Sequence, residues 1–109
     1  MRLRELEAKF LRREDNQHFI YVSTLAEADG IKFLCPKCFK TNNGVVGTHA
    51  IICWSPKVPQ DTVPTPGRWE LQGTGIDDLT LVAGSSSVLL TGDGCKAHFF
   101  VRNGDIIDC

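Results

Sequence analysis

Asn103-Gly104, set between the apolar runs Phe99-Phe100-Val101 and Asp105-Ile106-Ile107, constrains this chain more than any other feature. A two-residue type I′ turn requires positive φ at both central positions, and Asn-Gly is the pair that tolerates it. The two runs are therefore expected to pair as antiparallel strands. Cys95 and His98 stand at the mouth of this hairpin, and far upstream Cys35-Pro36-Lys37-Cys38 supplies a second close pair of soft donor groups. Whether the two pairs meet decides what chemistry the chain can carry.

With 109 residues, 42% of them hydrophobic, the chain suits one domain spanning 1–109. Its core is small enough to gain from a bound metal or a partner. A formal net charge of -1 and a pI of about 6.3 leave no broad electrostatic footprint for nucleic acid, and Lys37 and Lys40 read as solvated flanks of the Cys pair. No apolar run approaches the ~20 residues needed to cross a bilayer, and Met1-Arg2-Leu3-Arg4-Glu5 lacks a signal-peptide core. A soluble, cytoplasmic protein is expected. Five cysteines, an odd number, fit a reducing compartment better than a disulfide scaffold. Cys-x-x-Cys there is a metal knuckle or a redox pair. The redox reading wants the pair at a strand end opening a helix, whereas the polar, Gly-containing stretch Lys40 to Gly47 suggests a loop, so metal is favoured.

Leu3, Leu6, Phe10 and Leu11 recur at helical spacing, which predicts a short amphipathic helix over Met1 to Arg13. The same residues also fit a helical start followed by a strand from Lys9. His18 to Val22 reads as a strand. Ser23 or Thr24 caps a short helix over Leu25 to Asp29, with Gly30 closing it in a left-handed conformation. Ile31 to Leu34 is a brief strand delivering Cys35. Thr48 to Trp54 is another, with His49, Ile51 and Cys53 on one face and Ala50, Ile52 and Trp54 on the other. Ser55 to Gly67 holds four prolines and reads as an irregular excursion. Arg68 to Leu71, Leu79 to Val82 and Val88 to Leu90 are further strands, with Ala83 to Ser87 a turn. The expected class is α+β, mainly β: a small domain of antiparallel strands with one or two short helices, stapled by a zinc knuckle.

Zinc takes four tetrahedral thiolate or imidazole ligands, and two close pairs at distant positions are how a small domain provides them. Cys35, Cys38 and Cys95 are the expected ligands of a structural zinc. The fourth falls to His49, with His98, Cys53 and Cys109 as alternatives. In a regular strand Cys95 and His98 point to opposite faces, so both reach one metal only if residues 95 to 98 curl. Otherwise His98 is released for other work. A second constellation is Ser85-Ser86-Ser87 ahead of His98, with Asp77 and Asp78 between strands: a serine nucleophile needs an imidazole to take its proton and a third group to orient that imidazole. Three serines in a turn are also ordinary turn chemistry.

Arg68-Trp69-Glu70, Gly73-Thr74-Gly75-Ile76-Asp77-Asp78-Leu79-Thr80-Leu81, Ser87-Val88-Leu89-Leu90 and Gly94-Cys95-Lys96-Ala97-His98-Phe99-Phe100-Val101-Arg102-Asn103-Gly104 together resemble a family of small uncharacterised proteins of phages and prophages. That group in turn resembles the domain-of-unknown-function proteins encoded beside bacterial ubiquitin-like conjugation genes. The resemblance covers roughly Ile31 to Cys109. It implies a zinc-supported peptidase or isopeptidase acting on ubiquitin-like conjugates in the host bacterial cytoplasm. Ser87 would be nucleophile, His98 general base and Asp78 (or Asp77) its orienting carboxylate, with Cys35, Cys38 and Cys95 matching the knuckle and closing cysteines. Ser86 stands where the family pattern has proline, and Cys-Pro-Lys-Cys replaces a denser cysteine cluster. The rival expectation is a non-catalytic zinc module that binds a host or phage protein, as a defence inhibitor or virion accessory, through the proline-rich excursion and Trp54 or Trp69. Neither reading involves nucleic acid or a membrane.

Overall fold

The computed structural model describes residues 1–64, 67–82 and 97–108, together with the backbone of residues 87–89. Nine strands form three antiparallel sheets among these residues. The largest has the order β2-β1-β3-β4, built from β1 (Lys9–Arg13), β2 (Phe19–Val22), β3 (Gly30–Leu34) and β4 (Ala50–Trp54). β5 (Glu70–Gln72) pairs with β6 (Thr80–Val82), and β7 (Ser87–Leu89), β8 (His98–Arg102) and β9 (Asp105–Asp108) form the third sheet. The single α-helix among the described residues is α1 (Pro36–Asn42). Among the described residues no helix is long and apolar enough to cross a membrane. The expected α+β, mainly β architecture is the one found.

The strand alternation read from the sequence sets the packing. Ile31, Phe33, Ile51 and Cys53 turn one face of the large sheet toward Leu81, Phe99, Val101 and Ile106 of the other two sheets, with Leu3, Leu6 and Leu79 joining them. Phe33 and Phe99 meet edge to face, ring centroids 6.0 Å apart. Such geometry adds about 0.5–1.5 kcal/mol, while fully burying each ring contributes about 1.5–3 kcal/mol. Burial therefore dominates, and the contact orients it. Leu11, Trp54 and Val58 form a second, smaller core on the opposite face, against Phe19 and Ile52.

Of the two readings of Met1 to Arg13, the helical start followed by a strand from Lys9 is the one found, and three other local expectations are revised. Met1 to Arg13 is a 3₁₀ turn (Leu3–Leu6) followed by β1, divided at Glu7, whose φ of 54° ends the helical path. Phe10 and Leu11 are adjacent yet both buried, in different cores, as only a strand covered on both faces allows. The helix over Leu25 to Asp29 is a 3₁₀ turn of three residues, Leu25–Glu27. Gly30 opens β3 instead of terminating a helix. It lies opposite Trp54, and a Cβ there would come within 2.7 Å of the indole and of the Cys53 carbonyl. The stretch after Cys38 is helical as far as Asn42, where a loop was expected.

The C-terminal hairpin forms as the Asn-Gly pair demands, with φ of 50° at Asn103 and 76° at Gly104. The Gly104 N–H donates to the Leu79 carbonyl at 2.8 Å, and its own carbonyl accepts from Leu3 N–H at 2.8 Å. A Cβ at Gly104 would fall 2.1 Å from the Asp77 carbonyl oxygen. Gly104→Ala combines left-handed strain with that clash and should lower stability by about 2 kcal/mol or more. Urea unfolding checks this, and a loss well below that figure would mean the turn can move without cost.

Candidate metal centre

The ladder between β3 and β4 runs from Gly30 opposite Trp54 to Leu34 opposite Ala50. One step further, the Cys35 N–H donates to the His49 carbonyl at 2.9 Å. Cys35 and His49 are thus brought together by backbone pairing, although fourteen positions separate them in the sequence. Cys35 is the N-cap of α1, with extended dihedrals (φ -61°, ψ 122°), and Pro36 occupies the first helical turn, where its missing N–H costs nothing. Phe39 N–H donates to the Cys35 carbonyl at 2.9 Å and closes the first turn, which brings Cys38 back beside Cys35.

After α1 the chain must reverse within a few residues to deliver His49. Asn43 caps the helix in the left-handed region (φ 53°), and the Gly44 N–H donates to the Phe39 carbonyl at 3.0 Å. Gly47 also has positive φ, at 80°. The Thr48 hydroxyl donates to the Gly44 carbonyl at 2.6 Å, pinching the loop shut. The tip of this loop carries Val45 and Val46, the latter 89% exposed.

As a result the sulfur atoms of Cys35 and Cys38 and a ring nitrogen of His49 lie within 4.8 Å of one another. Ligand atoms around a tetrahedral zinc are about 3.8 Å apart, given bonds of about 2.3 Å to sulfur. Side-chain adjustments of about 1 Å therefore suffice to close these three donors on one ion. Cys35 is fully buried at the edge of the main core, Cys38 is half-buried and His49 exposed. Lys40, in the last turn of α1, pairs with Asp108 of β9 at 3.0 Å, tying the knuckle to the C-terminal hairpin.

Cys35, Cys38 and His49 are the expected ligands that the fold brings together. Cys95, the fourth expected ligand, and the alternative Cys109 lie outside the described residues, as do Ser85 and Ser86. Cys53 and His98, also considered as ligands, are not members of the cluster. The Cys53 thiol is fully buried in the core, which pushes its pKa far up and keeps it protonated. His98 is exposed on β8 opposite Leu89, and Ser87 stands two pair positions along the same ladder, opposite Phe100. Asp78 has local work: its carboxylate accepts hydrogen bonds from the Thr74 and Gly75 N–H groups and from the Thr74 hydroxyl. Trp54 is buried, donating its indole N–H to the Val63 carbonyl at 2.9 Å, and Trp69 packs against the main core. Both tryptophans belong to the interior more than to a binding surface.

His18 Nδ1 meets the Asp15 carboxylate at 2.8 Å on an exposed turn. The three-residue spacing in a polar turn was its only signal. Comparison of the chain with protein-family models, with curated proteins and with solved structures finds no match.

The hydrogen bonds to Asp78, the backbone N–H of Thr74 first, hold its carboxyl below the ordinary value of 3.8. A carboxylate depressed in the folded state stabilises the fold above its unfolded pKa, and the contribution is lost as pH falls through the folded one. Between about pH 5 and about pH 3 the wild type should lose more stability than Asp78→Asn. Parallel urea titrations would measure this, and identical pH slopes would show that the turn does not depend on the charge.

Proposed function

We propose that the protein is a zinc-stapled binding module in which the metal clamps the β3–α1 junction to the start of β4. The observation that carries this reading is the convergence of Cys35, Cys38 and His49 to within 4.8 Å. Two sulfurs and one imidazole, with no carboxylate among the described residues of the cluster, form a soft donor set that suits zinc over calcium or magnesium. Cys95 is the proposed fourth ligand and would close the site. A closed site holds structure together and leaves no position for a reacting water. A structural metal of this kind suits presentation of a surface, and the exposed Val45 and Val46 lie on the loop that the metal would brace. The partner on this reading is a host or phage protein in the bacterial cytoplasm.

Protein purified without chelator should carry about one zinc per chain. Cys35→Ser should lose it, together with much of the thermal stability, because metal affinity here is folding free energy. Metal analysis and thermal melts measure both. A wild type without bound metal, or melting unchanged by a chelator, would overturn the reading.

A serine peptidase acting on ubiquitin-like conjugates is the second reading, favoured by one observation. His98 stays out of the metal cluster, and the β7–β8 register sets Ser87 two positions from it. Ser87 would attack the carbonyl with His98 as base. Since Asp78 is held by its own turn, the orienting group would have to be Asp77 or a backbone carbonyl. A fluorophosphonate probe should label Ser87 in the zinc-loaded protein and fail to label His98→Ala. Absence of label from the wild type would exclude this chemistry.

A further inference from the structure

The sequence reading set redox chemistry aside because a loop was expected after Cys38. The fold puts Cys35 at the end of β3 and at the opening of α1, the strand-to-helix setting that the redox reading required. We propose that Cys35 and Cys38 are also an oxidation site: a two-electron oxidant of the peroxide class converts them to a disulfide and expels the metal, releasing the His49 loop. The inference rests on the zinc site proposed above.

Three features of the structure support the pairing. The two sulfurs already lie within 4.8 Å, and Cys35 precedes the helix with extended dihedrals, so it stands outside the regular helical array. Rotation about the side-chain bonds can bring the sulfurs to the ~2.05 Å of a disulfide. The two sulfurs also differ in access, since Cys38 is half-buried and Cys35 fully buried. An oxidant in solvent therefore meets Cys38 first, and Cys35 is the neighbour placed to resolve it. Finally, Cys53, the other cysteine among the described residues, is fully buried in the core and outside the cluster.

The chemistry balances with peroxide as the sole co-reactant. The Cys38 thiolate takes one peroxide oxygen and becomes a sulfenic acid, and the other oxygen leaves as hydroxide. The Cys35 thiolate then attacks the Cys38 sulfur, forming the S–S bond and expelling a second hydroxide. Two protons from solvent turn both hydroxides into water. The two sulfurs have lost two electrons and the peroxide has gained them. With both thiolates consumed, His49 and the proposed Cys95 are the donors left, two where a closed zinc site needs four, and zinc departs as the aquated ion.

The test treats the zinc-loaded full chain with hydrogen peroxide, follows zinc with a chromogenic chelator and maps tryptic peptides without reduction. The expected product is Phe33-Leu34-Cys35-Pro36-Lys37 linked to Cys38-Phe39-Lys40, appearing in proportion to the zinc released and reversed by a phosphine reductant plus zinc. Cys38 linked to any other cysteine, or recovered as a sulfinic acid beside an unmodified Cys35, would overturn the proposal. Zinc retained while the linked peptide forms would overturn it as well. The zinc content of the untreated chain separates the two readings. If the untreated chain holds no metal, the zinc site fails; if it holds zinc and gives no linked peptide, only the oxidation site fails.

Discussion

The antiparallel pairing of β3 with β4 is the constraint on which the rest of the molecule depends. Its alternation sends Ile31, Phe33, Ile51 and Cys53 into the main core and leaves Ile52 and Trp54 for the smaller one. Continuing by one hydrogen bond, it sets Cys35 beside His49. The same ladder that buries the apolar side chains thereby assembles the metal-binding donors. A register slip of one residue would turn the apolar set of either strand to the wrong face. Hydrophobic burial therefore fixes the geometry of the site, and a bound metal would reinforce it.

A sheet covered on both faces needs something on its second face, and here that is an irregular segment whose described residues, 55–64 and 67, form no helix or strand. The proline-rich excursion is held by side-chain donors in place of a ladder. Arg68 donates to the carbonyls of Val58, Pro59, Thr62, Pro64 and Gly67, and Arg13 donates to the Thr62 hydroxyl. A prolyl nitrogen cannot donate, so such a loop has more acceptors than donors, and a guanidinium with five N–H groups redresses the balance. Partial burial of that guanidinium lowers its pKa, a cost offset by the carbonyl dipoles around it. The result is a cover that buries Leu11, Trp54 and Val58.

Much of this was legible in the residues. The Asn103-Gly104 hairpin, the alternation of Thr48 to Trp54 and the mainly antiparallel class follow from local rules of φ and of side-chain direction, which operate over a few residues. Leu3, Leu6, Phe10 and Leu11 left a full helix and a helical start followed by a strand both open, because a helix buried on one face and a strand buried on both can share the same apolar spacing. Gly30 misled: the sequence marks a position without a side chain but not which neighbour needs the space, and that neighbour was Trp54, twenty-four residues away. The helix after Cys35 was missed because Lys40, Thr41 and Asn42 were read with the Gly-containing loop that follows them, although Asn42 is its last residue and Asn43 its cap.

The sequence by itself determined the donors and their chemistry: soft sulfurs at Cys-x-x-Cys spacing, histidines nearby, and a core small enough to gain from a staple. Only the tertiary structure decided which of them meet. His49 joins Cys35 and Cys38 because a β ladder and a pinched loop carry it there, whereas Cys53 is turned into the core and His98 stays exposed on another sheet. Asp78 likewise looked available until its own turn claimed it. The physical reason is the same in each case. Local spacing sets what a residue can bind, but its neighbours are chosen by the burial of apolar surface across the whole chain, which no short stretch of sequence contains.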